Sequence, residues 1–373
     1  MARVKLYRPG GRLLAVATVA CVGLVSVVLT AQAGVAATAT TVLAQPSVRS
    51  VSCEQGINED ATTPPAGFKP LAADAVTLAA YGFPPRPSNP GDLKIWRHYV
   101  TSTIHHDLSC KLRPTNRRSV LVPTQVPGQV QPATTEVPST NWAGNVATGR
   151  TYTDVEAAWH VPAAGGSSQD AGTSSSSWVG IGQGSSLSRP LMQAGSESDG
   201  GSPSPATPYL WLEVVPGLSQ SYFVSNIAAG DLLYVHIHYA NNSVGFHFVD
   251  ENTDYDASAL FTPAAGQTIA PDGTAEWVFE RPEQNIGGNT VILTRLAKAT
   301  TTFTTANAAG TSFGWIALGS LSHYYNNMWD CSSVGSSAQE LASPGSISNG
   351  TQFTDKWLNY GHVSVVPPNN SAC

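Results

Sequence analysis

The sequence predicts an all-β protein, built of many short strands in an antiparallel sandwich or barrel. Beyond residue 139, apolar and polar residues alternate over short runs. Clusters of Gly, Asn, Pro and Ser separate these runs, with no helical spacing between them. The 34 glycines and 26 prolines among 373 residues supply turns, while only 12% of residues are charged, about half the usual share.

The chain opens with a basic stretch (Arg3, Lys5, Arg8, Arg12), an apolar run over 13–30, and the small-residue sites A-Q-A (31–33) and V-A-A (35–37). This is the pattern of a cleaved secretory signal over 1–37, and it implies an exported protein without stable membrane association afterwards. Residues 38–135 form a second segment. D-A-V-T-L-A-A-Y-G (74–82) has helical spacing. So does L-K-I-W-R-H-Y-V-T (93–101), after Pro90 and Asp92, and the helix is expected to extend through 104–112. Pro123, Pro127, Pro132 and Pro138 mark an extended linker.

The third segment, 136–373, carries the strands. Expected strands are 152–162, 176–182 and 190–195, then a hairpin of 232–239 and 244–249 around A-N-N-S. Further strands are expected at 274–280, 289–293, 300–306 and within 351–366.

Charge is uneven along the chain. Residues 40–139 hold nine basic and seven acidic residues, whereas 140–330 hold five basic and sixteen acidic. An acidic body argues against nucleic acid as a partner. A basic leading segment suits one that docks on that body until it is removed. Apart from Cys21 in the signal, the cysteines are Cys53, Cys110, Cys331 and Cys373. Their even number in an exported chain predicts two disulfides, and three pairings satisfy the count. His105 and His106 in the basic segment are candidates for sensing acid during processing.

The chemistry-bearing motifs are few. There is no H-E-x-x-H and no D-T-G or D-S-G pair. His236, His238 and His247 fall on one hairpin face, which reads as a polar strand face before it reads as a metal site. T-A-E-W-V-F-E-R-P (274–282) is a strand with Glu276 and Glu280 on the same face. Such a pair marks either a solvent-facing strand or a catalytic carboxylate.

Five motifs come in order: S-T-N-W-A-G (139–144), W-V-G-I (178–181), L-M-Q-A-G (191–195), Y-L-W-L-E (209–213) and A-E-W-V-F-E (275–280). L-A-K-A-T-T-T-F-T-T-A-N-A follows at 296–308. Their order and spacing resemble the eqolisins, the secreted glutamic peptidases, over roughly 139–365. The resemblance implies a concanavalin-like sandwich of two antiparallel sheets. It also implies a secreted acid endopeptidase made as a zymogen, with 38–135 as its inhibitory propeptide. The catalytic pair would be Glu276 and Gln193, with Trp142, Trp211, Glu213 and Glu197 lining the substrate cleft and Glu280 a structural acid. Protein or peptide substrates, no cofactor and a monomer are expected.

The implied chemistry stands on its own terms. A carboxylate with a pKa of about 4.3 serves as base in moderately acidic medium. A side-chain amide donates to an oxyanion at any pH. Two positions depart from the family pattern: Gly182 and Tyr209 stand where the family has acids. The N-terminal segment and the cysteine-bearing tail are unlike the fungal members, and a prokaryotic branch fits them. The rival readings are a lectin-like glycan-binding sandwich and a glycosidase pairing Glu276 with Glu213 or Glu280.

Overall fold

A computed structural model describes residues 57–58, parts of 67–118, and 136–365 apart from 183–189, 224–226, 254, 272, 287–289 and 331–338. The signal sequence and all five cysteines lie outside the described residues.

The leading segment contributes β1 (Ile57–Asn58), α1 (Pro90–Thr101), β2 (His105–Asp107), β3 (Arg113–Pro114) and β4 (Arg117–Arg118). The body begins with β5 (Glu136–Ser139), β6 (Trp142–Ala147), β7 (Asp154–His160), β8 (Thr173–Gly182) and β9 (Leu191–Asp199). It continues with β10 (Tyr209–Val215), β11 (Leu218–Phe223), β12 (Leu232–Ala240), β13 (Ser243–Asp250) and β14 (Tyr255–Phe261). Next come β15 (Ala275–Glu280), β16 (Glu283–Ile286), β17 (Thr290–Leu293), β18 (Arg295–Leu296) and β19 (Thr301–Gly310). The last are β20 (Phe313–Ala317), β21 (His323–Asp330), β22 (Gln339–Pro344), β23 (Phe353–Trp357) and β24 (Ser364–Val365).

Two large, mostly antiparallel sheets result. One runs β14-β13-β12-β7-β19-β20. The other runs β11-β10-β9-β8-β15-β6-β21-β22-β23-β19. Strand β19 belongs to both. Thr301–Phe303 pair with β23, and from Thr304 onward the strand pairs with β7. The register breaks between Thr304 and Asn307, where Thr305 takes a left-handed φ of 51°. One strand thus turns the corner between the layers. The inward residues alternate along each strand and interlock between the sheets. Trp277, Val179, Ala194 and Leu212 come from the second sheet, and Trp159, Val235, Phe246 and Phe248 from the first.

The expected hairpin is present. Strands β12 and β13 join through Asn241 and Asn242, at φ 51° and 60°, the left-handed pair that a tight hairpin turn requires. The expected helix at 93–101 is α1, which begins at Pro90. Its buried Trp96 and Val100, with Leu93, pack against Ala158, Tyr234 and Val249 on the outer face of the first sheet.

Two expectations need correction. The helix does not continue through 104–112, because His105–Asp107 is instead a strand lying parallel to β14. Its backbone groups take ladder partners on β14 in place of intrahelical ones. Several strands are also longer than the alternation suggested: β8 starts at Thr173 and β9 ends at Asp199. Their Ser-rich ends, buried on both faces, do not alternate in polarity. Among the described residues, no helix is long and apolar enough to cross a membrane.

Candidate active site

Strand β15 sits in the middle of the second sheet, between β8 and β6. Both of its faces are buried, so Glu276 (1% exposed) and Glu280 (0%) do not face solvent. The register aligns Glu213, Gln193, Gly180 and Glu276 in one row across β10, β9, β8 and β15. Val146 on β6 and Tyr324 on β21 extend the row. Directly paired residues point to the same face, so this row turns away from the inter-sheet core that Trp277 fills.

The middle of the row is bare. A Cβ built on Gly180 would stand 2.7 Å from the Trp178 ring and 3.2 Å from Glu276 Oε2. The Glu276 carboxylate therefore leans over β8 towards Gln193, and any side chain at position 180 would collide with it and with the Trp178 ring. Gln193 is fully buried and donates through Nε2 to Glu213 Oε2 at 2.8 Å. A carboxylate only accepts, so this bond fixes which end of the amide is nitrogen. It leaves Gln193 Oε1 without a hydrogen-bond partner.

The next row holds the aromatic residues. Trp178 and Trp211 flank Gly195, and Trp142 meets Trp178 edge to face with centroids 4.7 Å apart. Trp211 Nε1 donates to Ser176 Oγ at 2.8 Å. Glu280 accepts from Trp178 Nε1 at 2.7 Å and from Asn141 Nδ2 at 3.1 Å, so it fixes the Trp178 wall of the site.

Glu197 lies at the far end of the same face, paired across strands with Tyr209 and Ser176. Its partner comes from the leading segment: Arg117 Nε is 2.9 Å from Glu197 Oε1. Arg117 also reaches Asp199 Oδ1 at 3.1 Å and Ser174 Oγ at 2.7 Å. Burial pushes the Glu197 carboxyl up to about 8 and Asp199 adds to the rise, while Arg117 opposes it. Burial also works against the Arg117 charge, but Glu197 and Asp199 outweigh it and hold the guanidinium protonated.

Sequence reasoning had singled out Glu276, Gln193, Trp142, Trp211, Glu213 and Glu197, and the structure brings all six onto one face. It had missed Gly180, Arg117 and Tyr324. The Tyr324 phenol is raised by burial and then by the Glu276 charge. The alternating run H-Y-Y-N-N-M-W-D (323–330) was the available signal for Tyr324. The departure at Gly182 has a backbone cause: φ is 112° and a Cβ would stand 2.2 Å from Pro190 O, so no acid fits there.

Two other constellations are less promising. Gly310-Thr311-Ser312-Phe313-Gly314 is spelled like a serine-nucleophile elbow, but it forms the exposed hairpin turn between β19 and β20. On the outer face of the first sheet, Asp154 Oδ1 lies 2.6 Å from His238 Nδ1 and 3.2 Å from His236 Nε2, and His247 stacks on His236. Burial lowers the His236 pKa, outweighing the Asp154 hydrogen bond and charge. It also opposes charge on His238, but the Asp154 hydrogen bond and charge win and raise that ring. Among the described residues, no His/Cys/Asp/Glu group is placed to hold a metal ion.

Residues 140–343 match the model of the Peptidase A4 family. Among solved structures, the chain is similar to scytalido-glutamic peptidase with a transition state analog inhibitor (18% identity, 59% of this chain and 98% of that one, TM-score 0.49). It is also similar to SCP-B, an eqolisin solved with the tripeptide Ala-Ile-His (19%, 59% and 98%, TM-score 0.43). A third is aspergilloglutamic peptidase from Aspergillus niger (20%, 50% and 99%, TM-score 0.39). No curated protein matches the chain. The family match spans more than half of the chain and takes in every residue of the Glu213–Gln193–Gly180–Glu276 row, and the chain belongs to the Peptidase A4 family, the eqolisin glutamic peptidases.

Proposed function

We propose that this peptidase is a secreted acid endopeptidase in which Glu276 activates water and Gln193 stabilises the oxyanion. The observation that carries the reading is the row itself: a carboxylate and a carboxamide on one sheet face, with a bare glycine between them. Glu276 takes a proton from water as the water oxygen bonds to the scissile carbonyl carbon. The carbonyl oxygen becomes an oxyanion, held by the second N–H of Gln193 Nε2 while the first stays on Glu213. Protonated Glu276 then gives its proton to the leaving amine as the C–N bond breaks. Trp142, Trp178 and Trp211 wall the face on which the substrate lies, and no acyl-enzyme is needed.

A glycosidase carboxylate pair fits this geometry poorly. Glu213 is committed to Gln193, and Glu280 to Trp178 and Asn141.

The same proposal makes 38–135 an inhibitory propeptide, with Arg117 as one of its anchors on the site face. Arg117 lowers the pKa of Glu197, so docking of the segment and ionisation of Glu197 favour each other. Glu197 loses its charge as pH falls through about 8, and the docking weakens with it.

The test is digestion of a denatured protein across acidic and neutral pH, after acid activation, with wild type and Glu276→Gln. Loss of cleavage in a folded Glu276→Gln protein is expected. Cleavage that persists in that variant would remove Glu276 from the base role.

A further inference from the structure

We propose that the cavity between β21 and residues 343–350 is a second, non-catalytic site that binds a neutral saccharide. The cavity holds about 650 Å³ and is lined by Asn145, His323, Tyr325, Asn327 and Ser343 among others. That volume suits a small ligand rather than a single water. It lies across the sheet from the catalytic row. Asn145 pairs with Trp277 and shares its face, whereas the neighbouring Val146 pairs with Glu276.

Two polar groups mark the cavity as built for a ligand. Asn145 is 3% exposed, and its Nδ2 has no hydrogen-bond partner. Asn327 donates its Nδ2 to Glu136 Oε1 at 2.9 Å, which fixes the amide and leaves Oδ1 buried without a partner. Both side chains line the cavity, each with one amide atom buried and unpartnered, and buried polar groups of this kind are normally satisfied.

The lining selects the ligand's chemistry. It contains no Lys, Arg, Asp or Glu, so no permanently charged side chain there recognises a phosphate, a carboxylate or an amine. Hydroxyl groups donate and accept at once, and a diol answers an amide N–H and an amide C=O together. Tyr325 supplies an aromatic ring for the apolar C–H face of a pyranose. A peptide added as a strand is disfavoured, since at Tyr325 the β21 backbone is already paired on both sides, with Asn145 of β6 and Glu136 of β5. A saccharide site here would hold the peptidase on glycosylated substrates without touching the reacting bond.

Ligand-observed NMR on the full chain tests this, with glucose, galactose, mannose, N-acetylglucosamine and their β-linked disaccharides as probes and a tripeptide as control. At least one saccharide is expected to bind. Its affinity should fall at least about tenfold in Tyr325→Ala. It should also fall in Ser346→Trp, which fills the mouth from an exposed loop position and keeps the test valid if the first variant misfolds. Peptidase activity should stay at the wild-type level in both. The proposal is overturned if no saccharide binds, if only the tripeptide binds, or if saccharide binding survives both substitutions. None of these outcomes bears on Glu276.

Discussion

Gln193 and Glu276 share one cross-strand row of the second sheet, and the only residue between them is Gly180. Two strand spacings, roughly 10 Å of backbone, separate the carboxamide from the carboxylate. The missing side chain at position 180 lets the Glu276 carboxylate and the Trp178 ring close in over β8, on the side of Gln193.

Gly180→Ala is expected to be a kinetic mutation first. Its methyl group would press on the Trp178 ring at 2.7 Å and on Glu276 Oε2 at 3.2 Å. Overpacking of this kind costs about 1–3 kcal/mol, so a drop in Tm of several degrees is expected. The fall in kcat/KM should be larger than the stability loss explains. Unchanged kcat/KM in the variant would show that the space above Gly180 is not where the reaction occurs.

Glu213→Gln probes positioning. The Gln193 amide donates to a carboxylate at 2.8 Å, and a neutral acceptor holds it less firmly. Hydrogen bonds to charged groups are worth about 1.5–3 kcal/mol, so kcat should fall roughly tenfold to a hundredfold with little change in KM. Steady-state kinetics separates the two parameters. A rise in KM alone would make Glu213 a substrate contact instead.

Arg117→Ala should loosen the leading segment. The guanidinium holds Glu197, Asp199 and Ser174 at 2.9, 3.1 and 2.7 Å. Without it, acid activation of the unprocessed chain should begin at higher pH. The onset of cleavage along a pH series reads this directly, and an onset identical to wild type would show that Arg117 plays no part in latency.

Asp355 should make stability fall as pH rises. Its carboxyl is fully buried opposite Thr301 and Pro344, both oxygens lack hydrogen-bond partners, and burial raises its pKa well above the usual carboxylate range. The folded state therefore keeps a proton that the unfolded chain loses near its normal pKa of about 3.9. Above that pH the folded state binds more protons, and the unfolding free energy declines until the folded pKa is passed. Asp355→Asn should flatten the decline of Tm above about pH 4. Parallel wild-type and variant curves would locate the pH sensitivity elsewhere.

Much of the site was legible before folding. The alternation in A-E-W-V-F-E placed Glu276 and Glu280 on one face, because side-chain direction in a strand has period two and needs no partner to define it. The same rule set Gln193 with Glu197 and Trp211 with Glu213. The leading segment was less legible. His105–Asp107 took strand form because β14 offered it backbone partners, which no local pattern announces.

Local pattern along the chain settled the strand-rich class, the two faces of each strand, and the residue types able to carry peptide hydrolysis. Tertiary structure decided which strands are neighbours, and so put β8 between β9 and β15 and Gly180 between Gln193 and Glu276. It also decided that Arg117, from a segment with its own local pattern, pairs with Glu197. Alternation is a short-range property of the chain. Pairing across a sheet brings together residues such as Ser176 and Glu280, a hundred positions apart, and is settled by which faces bury together.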